Sequence, residues 1–231
     1  EEIEPKLGLG GAKLKPDAKK LLGAYFCHEY SYAAAALMNP SVVRHPDQSG
    51  LQPGSTRILM SLRAVGEGHI STICFCEGIV NTRRGLILQE PPHIATAAKP
   101  KDRYDPGTDG PVSVRRRADS SISGTVIFPV TEAQRNGLED LRLVEFDDGS
   151  GKPLWIGTYT AYSGREIRSE MLRTRDFRHF ELIPMTGPAA RNKGMALFPR
   201  KIGGRYMMIG RQDGKNLYLL KSDDILNWDE G

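Results

Sequence analysis

From about residue 15 to 38 the apolar positions recur at helical spacing. Leu21, Leu22, Tyr25 and Phe26 form a stripe, Asp17 can cap its start, and the alanines at 33–36 favour continuation. Asn39-Pro40 stops that helix. Beyond it the pattern shortens to β runs at 57–62, 70–76 and 86–89, separated by Gly, Pro, Asp and Asn. Polar and turn-forming residues dominate 100–121, which predicts a long surface excursion, and strand character returns at 122–128.

The C-terminal hundred residues repeat themselves. Thr174-Arg175-Asp176-Phe177-Arg178-His179-Phe180-Glu181 matches Lys221-Ser222-Asp223-Asp224-Ile225-Leu226-Asn227-Trp228-Asp229 in kind, an Asp-based turn followed by an aromatic, and Phe180 and Trp228 stand 48 residues apart. Each unit carries three strand-like runs before its turn, at 141–146, 155–162 and 168–173, then at 195–199, 205–210 and 217–220. Short strands repeated at this period are propeller blades. A β-sandwich would not explain the recurring turn. The chain stops at Gly231, directly after one such turn, with no further unit to close a ring. An open stack of blades exposes sheet edges, so the expectation is a piece of a longer protein: a helical extension over 1–38, blades over 39–231, and further blades beyond.

Composition adds exclusions. Over 231 residues, 39% hydrophobic and 26% charged is globular and rules out a disordered tail or a collagen-like rod. A net charge of +4 gives little support to nucleic-acid binding, and the densest basic run, Arg115-Arg116-Arg117, reads as a solvated loop. Three cysteines, Cys27, Cys74 and Cys76, make an odd number, and Cys-x-Cys lacks the second half of a zinc site; a reduced cytoplasmic protein is the expectation. No apolar run approaches the roughly 20 residues that span a bilayer. The N-terminus opens with acids, unlike a signal peptide, although one already removed would leave the same chain. Gly8-Leu9-Gly10-Gly11 is a poor phosphate loop because no strand precedes it.

The densest candidate chemistry lies at 135–142, where Glu139 and Asp140 stand with Arg135 and Arg142 at the mouth of an apolar run. Such a cluster is either a salt-bridge network or an active site. Inner strands of successive blades converge on one channel, which brings Asp140 and Arg142 towards Arg191, Asn192 and Lys193 of the next unit. A carboxyl there could act as a general acid, and two basic side chains with an amide could cradle an anion such as phosphate. A charge network bracing the blades is the alternative. Asn39, Ser41, Arg63, Glu67, His69, Tyr159, Tyr162, Arg211 and Asp213 are further candidates for a sugar site, which needs an aromatic face and several polar groups. Taken singly, His69 reads as a core or loop histidine, and at least one of the two tyrosines as packing.

Several segments together resemble glycoside hydrolase family 130. They are Asn39-Pro40-Ser41, Asn136-Gly137-Leu138-Glu139-Asp140-Leu141-Arg142, Tyr159-Thr160-Ala161-Tyr162-Ser163-Gly164, Asn192 to Ile202 including Leu197-Phe198-Pro199, then Ser222-Asp223-Asp224 and Trp228. The resemblance implies an all-β, five-bladed β-propeller, incomplete in this chain, acting on β-mannosides mostly by phosphorolysis. It implies Asp140 as the single catalytic acid, working through a hydroxyl of the mannose. Inorganic phosphate, as co-substrate, would invert the anomeric carbon and release mannose 1-phosphate. By the same resemblance Arg191, Asn192, Lys193 and Arg211 would hold phosphate, and Asn39, Ser41, Arg63, Arg142, Tyr162 and Asp213 would line the sugar pocket. Leu141 stands where the family usually has Pro, Ser163 where Asp is common, and Arg211-Gln212-Asp213 where a His-Arg pair is frequent.

A cationic pocket in place of a second carboxylate favours phosphate over water as nucleophile. A β-mannosidase of the same fold and a noncatalytic carbohydrate-binding propeller are the rivals. The proposed chemistry needs no metal or organic cofactor. A β-mannoside and phosphate are the expected partners, with neither nucleic acid nor membrane, and a homo-oligomer is compatible with the sequence.

Overall fold

The computed structural model describes residue 8 and residues 13–26, 29–101 and 109–229. Cys27 and most of the glycine run at 8–11 therefore lie outside the described residues. The chain divides into two compact units, Glu1–Ser31 and Tyr32–Gly231. No described helix is long and apolar enough to cross a membrane.

In the first unit, helix α1 spans Pro16–Phe26. Proline suits the first helical position, where its missing N–H would have no partner anyway. Asp17 lies within the first turn and not ahead of it as a cap.

The helix expected to reach residue 38 ends at Phe26, and Ala36–Arg44 form strand β1. The alanine run misleads because helix propensity amounts to only tenths of a kcal/mol per residue, about the weakest term in play. The competing interactions are long-range: a ladder with β2 (Ser55–Val65) and the burial of Val43. Pro40 sits in a break of that ladder on an edge strand, where a missing N–H is tolerated.

The first blade is the antiparallel set β1, β2 and β3 (Ser71–Asn81). The stretch that follows contains β4 (Gly85–Leu88), β5 (Thr96–Ala97), β6 (Lys99–Pro100), β7 (Val112–Arg115) and β8 (Thr125–Ile127). The second blade is β9 (Gly137–Glu145), β10 (Trp155–Tyr162), β11 (Ile167–Thr174) and β12 (His179–Pro184), each antiparallel to the next. The third is β13 (Ala196–Leu197), β14 (Tyr206–Gly210) and β15 (Tyr218–Ser222). The fold is an all-β propeller, and the described strands close no ring.

The expected surface excursion is corrected by this topology. Within it β7 pairs with β12 and β6 with β7, so the stretch extends the outer edge of the second blade, while β4 and β8, on either side of it, pair with β3 as strands of the expected kind. Val112 and Val114 are buried. In the basic run, Arg115 ends β7 and Arg117 pairs with Asp119, while Arg116 hydrogen-bonds the carbonyls of Phe177 and Ser120.

The core lies between blades. Leu59, Phe75, Leu138, Trp155, Phe177 and Phe180 fill the space between the first two, and Ile156, Met171, Met195, Met208, Leu220 and Trp228 the space between the second and third. Phe75 stacks on Phe180 at 5.9 Å, and Trp155 meets Phe177 at 5.0 Å. Each such side chain contributes about 1.5–3 kcal/mol on burial.

The repeated turn recurs atom for atom. Thr174 Oγ1 accepts the N–H of Asp176, and Asp176 Oδ1 accepts that of Arg178; 48 residues on, Ser222 Oγ accepts from Asp224 and Asp224 Oδ1 from Leu226. Both turns deliver a fully buried aromatic, Phe180 and Trp228.

Gly187 is the tightest backbone position. Residues 186–189 exchange hydrogen bonds with 226–228, Gly187 has φ +92°, and a methyl group there would lie 2.4 Å from the Trp228 carbonyl oxygen. Gly187→Ala is expected to destabilise by about 2–3 kcal/mol and lower Tm by roughly 5–10 °C. An unchanged calorimetric Tm would contradict this packing.

Glu77 carries a pH signature. His45 Nε2 lies 3.2 Å from its Oε1, and the Ser123 N–H donates to Oε2 at 3.3 Å; led by the His45 hydrogen bond, these pull the carboxyl pKa from 4.5 to about 2. A depressed folded-state pKa stabilises the protein above the unfolded value, and that stability fades as pH falls from 4.5 towards 2. Glu77→Gln should therefore lose less Tm than wild type between pH 5 and 3. Parallel acid limbs for the two proteins would remove Glu77 from the account.

Candidate active site

Two bulges build the centre of the site. In the β9–β10 ladder Thr158 pairs with Arg142 and Thr160 with Glu139, and in the β1–β2 ladder Met38 pairs with Arg63 and Ser41 with Ser61. The breaks contain Asp140 (φ 56°) and Asn39 (φ 52°). Asp and Asn enter left-handed backbone more readily than other non-glycine residues, and a bulge redirects a side chain out of the strand's alternation. Here both are turned together, and Asn39 Nδ2 donates to Asp140 Oδ1 at 2.6 Å.

The surrounding backbone is pinned. Ser61 Oγ donates to the Leu141 carbonyl at 3.3 Å, and Ser41 Oγ accepts the Leu143 N–H at 2.9 Å. Gly157 lets β10 approach: a methyl group there would lie 2.8 Å from both the Arg142 carbonyl and Leu141 Cδ1. Leu141 is buried beneath the bulge.

Arg63 fastens the acid. Its Nη2 reaches Glu139 Oε1 at 2.7 Å, its Nη1 reaches Asp140 Oδ1 at 3.4 Å, and its Nε donates to Ser71 Oγ at 2.9 Å. Arg63, Glu139 and Asp140 keep 20%, 12% and 25% of their side-chain exposure, so the cluster is mostly out of water. Both donors address Oδ1, and among the described residues Oδ2 accepts no hydrogen bond. Sequence reasoning placed Glu139 in a charged cluster without naming Arg63 as its partner, and gave no role to Ser71. Glu139 was legible as half of an acidic pair, whereas Ser71 carried no signal.

Cations gather beside the acid. Gly194 has φ +78°, and a methyl group on it would lie 3.8 Å from Arg211 Nη1 and 3.9 Å from Arg142 Nη2, so two guanidinium groups reach one spot over its backbone. Asn192, in left-handed backbone at φ 68°, braces the loop: its Nδ2 donates to the Arg211 carbonyl at 2.9 Å and its Oδ1 accepts the Lys193 N–H at 3.0 Å. Arg191 and Lys193 are exposed on the same loop. Among the described residues no carboxylate lies within ion-pair distance of Arg142, Arg191, Lys193 or Arg211. Neighbouring guanidinium groups repel one another, and an anion between them offsets that repulsion with charge-assisted hydrogen bonds.

A cleft of about 450 Å³ has Asn39, Ser41, Asp140, Arg142, Ala196 and Leu197 in its wall, so the acid and one of the two guanidinium groups share it. It falls within the size range of small-ligand sites.

Other candidates have contacts of their own or lie in solvent. Tyr162 donates to the Gly164 carbonyl at 3.2 Å, in register with Gly137. Tyr159 is buried, with its hydroxyl on Glu170 and Gln134; burial first, and the Glu170 charge next, push its phenol well above the usual range. Asp213 takes the N–H groups of Lys215 and Asn216 on one oxygen and the Asn216 amide and Tyr218 hydroxyl on the other. Those donors hold its carboxyl well below the usual range, and they occupy both oxygens within its own turn. Glu67 and His69 are exposed on the turn between β2 and β3. Cys74 is a buried free thiol, pushed up to about 12 chiefly by burial. Among the described residues no three His, Cys, Asp or Glu side chains could hold a metal ion.

Residues 111–231 match the family model for β-1,4-mannooligosaccharide phosphorylase. A curated 1,2-β-oligomannan phosphorylase from Thermoanaerobacter sp. (strain X514) is 30% identical over 103 residues, covering 42% of this chain and 32% of that protein. A crystal structure bearing the name of a glycosidase, from Bacteroides thetaiotaomicron VPI-5482, is similar with TM-score 0.51 at 16% identity over 87% of this chain and 51% of that one. The chain thus spans 32% of the curated relative and 51% of the solved structure.

Proposed function

The chain belongs to glycoside hydrolase family 130, a family of glycoside phosphorylases and hydrolases acting on mannosides, and on that premise we propose that its protein cleaves β-mannosides by inverting phosphorolysis. In this reading Asp140 is the acid. Its proton passes by way of a mannose hydroxyl to the glycosidic oxygen as the C–O bond to the leaving sugar breaks. A phosphate oxygen forms the new bond to the anomeric carbon from the opposite face. The products are the shortened saccharide and mannose 1-phosphate of inverted configuration.

One observation carries the choice of phosphate. Arg142 and Arg211 converge over Gly194 without a carboxylate partner among the described residues, beside a cleft that Asp140 lines. An inverting hydrolase would instead place a second carboxylate there to activate water. Asn39 and Arg63 position the acid, and Asn192 shapes the loop that carries Lys193. Asp213 fits a structural role in its turn better than a sugar contact.

Titration of inorganic phosphate into the full-length protein tests the anion site. Arg211→Met is expected to weaken phosphate binding by about 10–100-fold, the loss of one charge-assisted contact. Equal affinity in wild type and variant, or no binding in either, contradicts the proposal.

A further inference from the structure

We propose that the free edge of β4 is a self-association surface, on which a second copy of this chain pairs antiparallel about a twofold axis through Ile87. β4 uses one edge on β3, with Gly78 facing Leu88, Ile79 facing Ile87 and Val80 facing Leu86. Among the described strands nothing pairs with its other edge. Its residues are apolar and open to solvent: Leu86 is 52% exposed, Ile87 52% and Leu88 49%, and Val80 beside them is 40% exposed. An edge of this kind is a template for another strand, and natural proteins cover or interrupt such edges.

The hydrogen-bond phase selects the register. Gln89 donates to the Glu77 carbonyl, so in the alternation of an antiparallel ladder the odd residues of β4 bond inward to β3. The N–H and C=O groups of Leu86 and Leu88 therefore face outward, while Arg84, in the turn before the strand, gives its N–H to Asn81 Oδ1. A twofold axis at Ile87 opposes Leu86 to Leu88 of the second copy and Leu88 to Leu86, each a hydrogen-bonded pair.

The charges select the occupant. Continued past the strand ends, that register brings Arg84, in the turn before β4, towards Glu90 of the second copy, and Glu90 towards its Arg84. Both residues are exposed, and neither has an ion-pair partner among the described residues. Opposite charges facing across strands favour pairing, and like charges oppose it. Pro91 and Pro92 end the ladder just beyond, since proline supplies no N–H. Each copy has a single β4 edge, and a twofold pairing of the two uses both, so this contact closes as a dimer and does not extend into a filament.

Sedimentation velocity of the full-length protein tests the surface. The expected result is a reversible dimer that Arg84→Glu and Glu90→Arg each weaken by about tenfold or more, and that the double exchange restores towards wild type. Leu88→Asp is expected to leave a monomer with unchanged Tm. A monomeric wild type, self-association indifferent to all four changes, or a double exchange no better than either single one overturns the proposal. None of these substitutions touches the acid or the cation cluster, so their outcome is independent of the proposed activity.

Discussion

Asp140→Asn is expected to lower β-mannoside turnover by about 10³-fold or more with little loss of stability, because general-acid catalysis is worth roughly 10²–10⁴-fold. The substitution removes the proton and the charge that faces Arg63 but keeps the side chain's shape. Asn tolerates the left-handed backbone at φ 56° and keeps an oxygen for Asn39 Nδ2. Asp140→Ala makes the contrast. It adds backbone strain of about 1 kcal/mol or more and leaves Asn39 and Arg63 without their shared acceptor. Turnover and Tm measured on both variants separate chemistry from folding. Full turnover by the Asn variant would remove the catalytic assignment, and an Asn variant as unstable as Ala would mean that the charge, and not the bulge, holds the site.

Arg63→Met is expected to be the most destabilising change at the site. Arg63 is the cation held by both Glu139 and Asp140, and the three side chains are mostly buried. Removing it leaves two neighbouring carboxylates without their partner, at a cost of about 2–4 kcal/mol after allowing for partial exposure. Glu139→Gln in the Arg63→Met background is expected to recover part of that loss, with a coupling energy of about 1–3 kcal/mol in the double-mutant cycle. Turnover falls too, by about 10–100-fold, as one anchor of the acid is lost. Additive effects of the two substitutions in urea unfolding would show that Arg63 and Glu139 do not act as a pair.

The blades were legible where local chemistry repeats. The Asp-turn-aromatic signature predicts equivalent positions 48 residues apart, and the structure places the same donors and acceptors there because a short polar side chain closing its own turn needs no distant partner. β1 was illegible for the opposite reason. Its alanines favour a helix locally, and only pairing with β2, well along the chain, makes them a strand.

The site shows the same division. Charge and spacing bring out the cluster around Asp140 and the basic residues Arg191 and Lys193, and the family resemblance adds Arg211, yet no pattern along the chain announces that Asp140 and Asn39 occupy facing bulges. A bulge is one extra residue in a ladder, visible only once both strands are aligned. Asp213 illustrates the converse. Its residue type suits a sugar site, but donors within five residues close around both its oxygens.

The central claim is that phosphate, held by guanidinium groups without acidic partners, is the nucleophile for a bond that Asp140 helps to break. Incubating the full-length protein with a panel of β-mannosides, with and without inorganic phosphate, tests it most directly. The account predicts mannose 1-phosphate in step with saccharide shortening, and no cleavage once phosphate is withdrawn. Free mannose released at a rate indifferent to phosphate would contradict it.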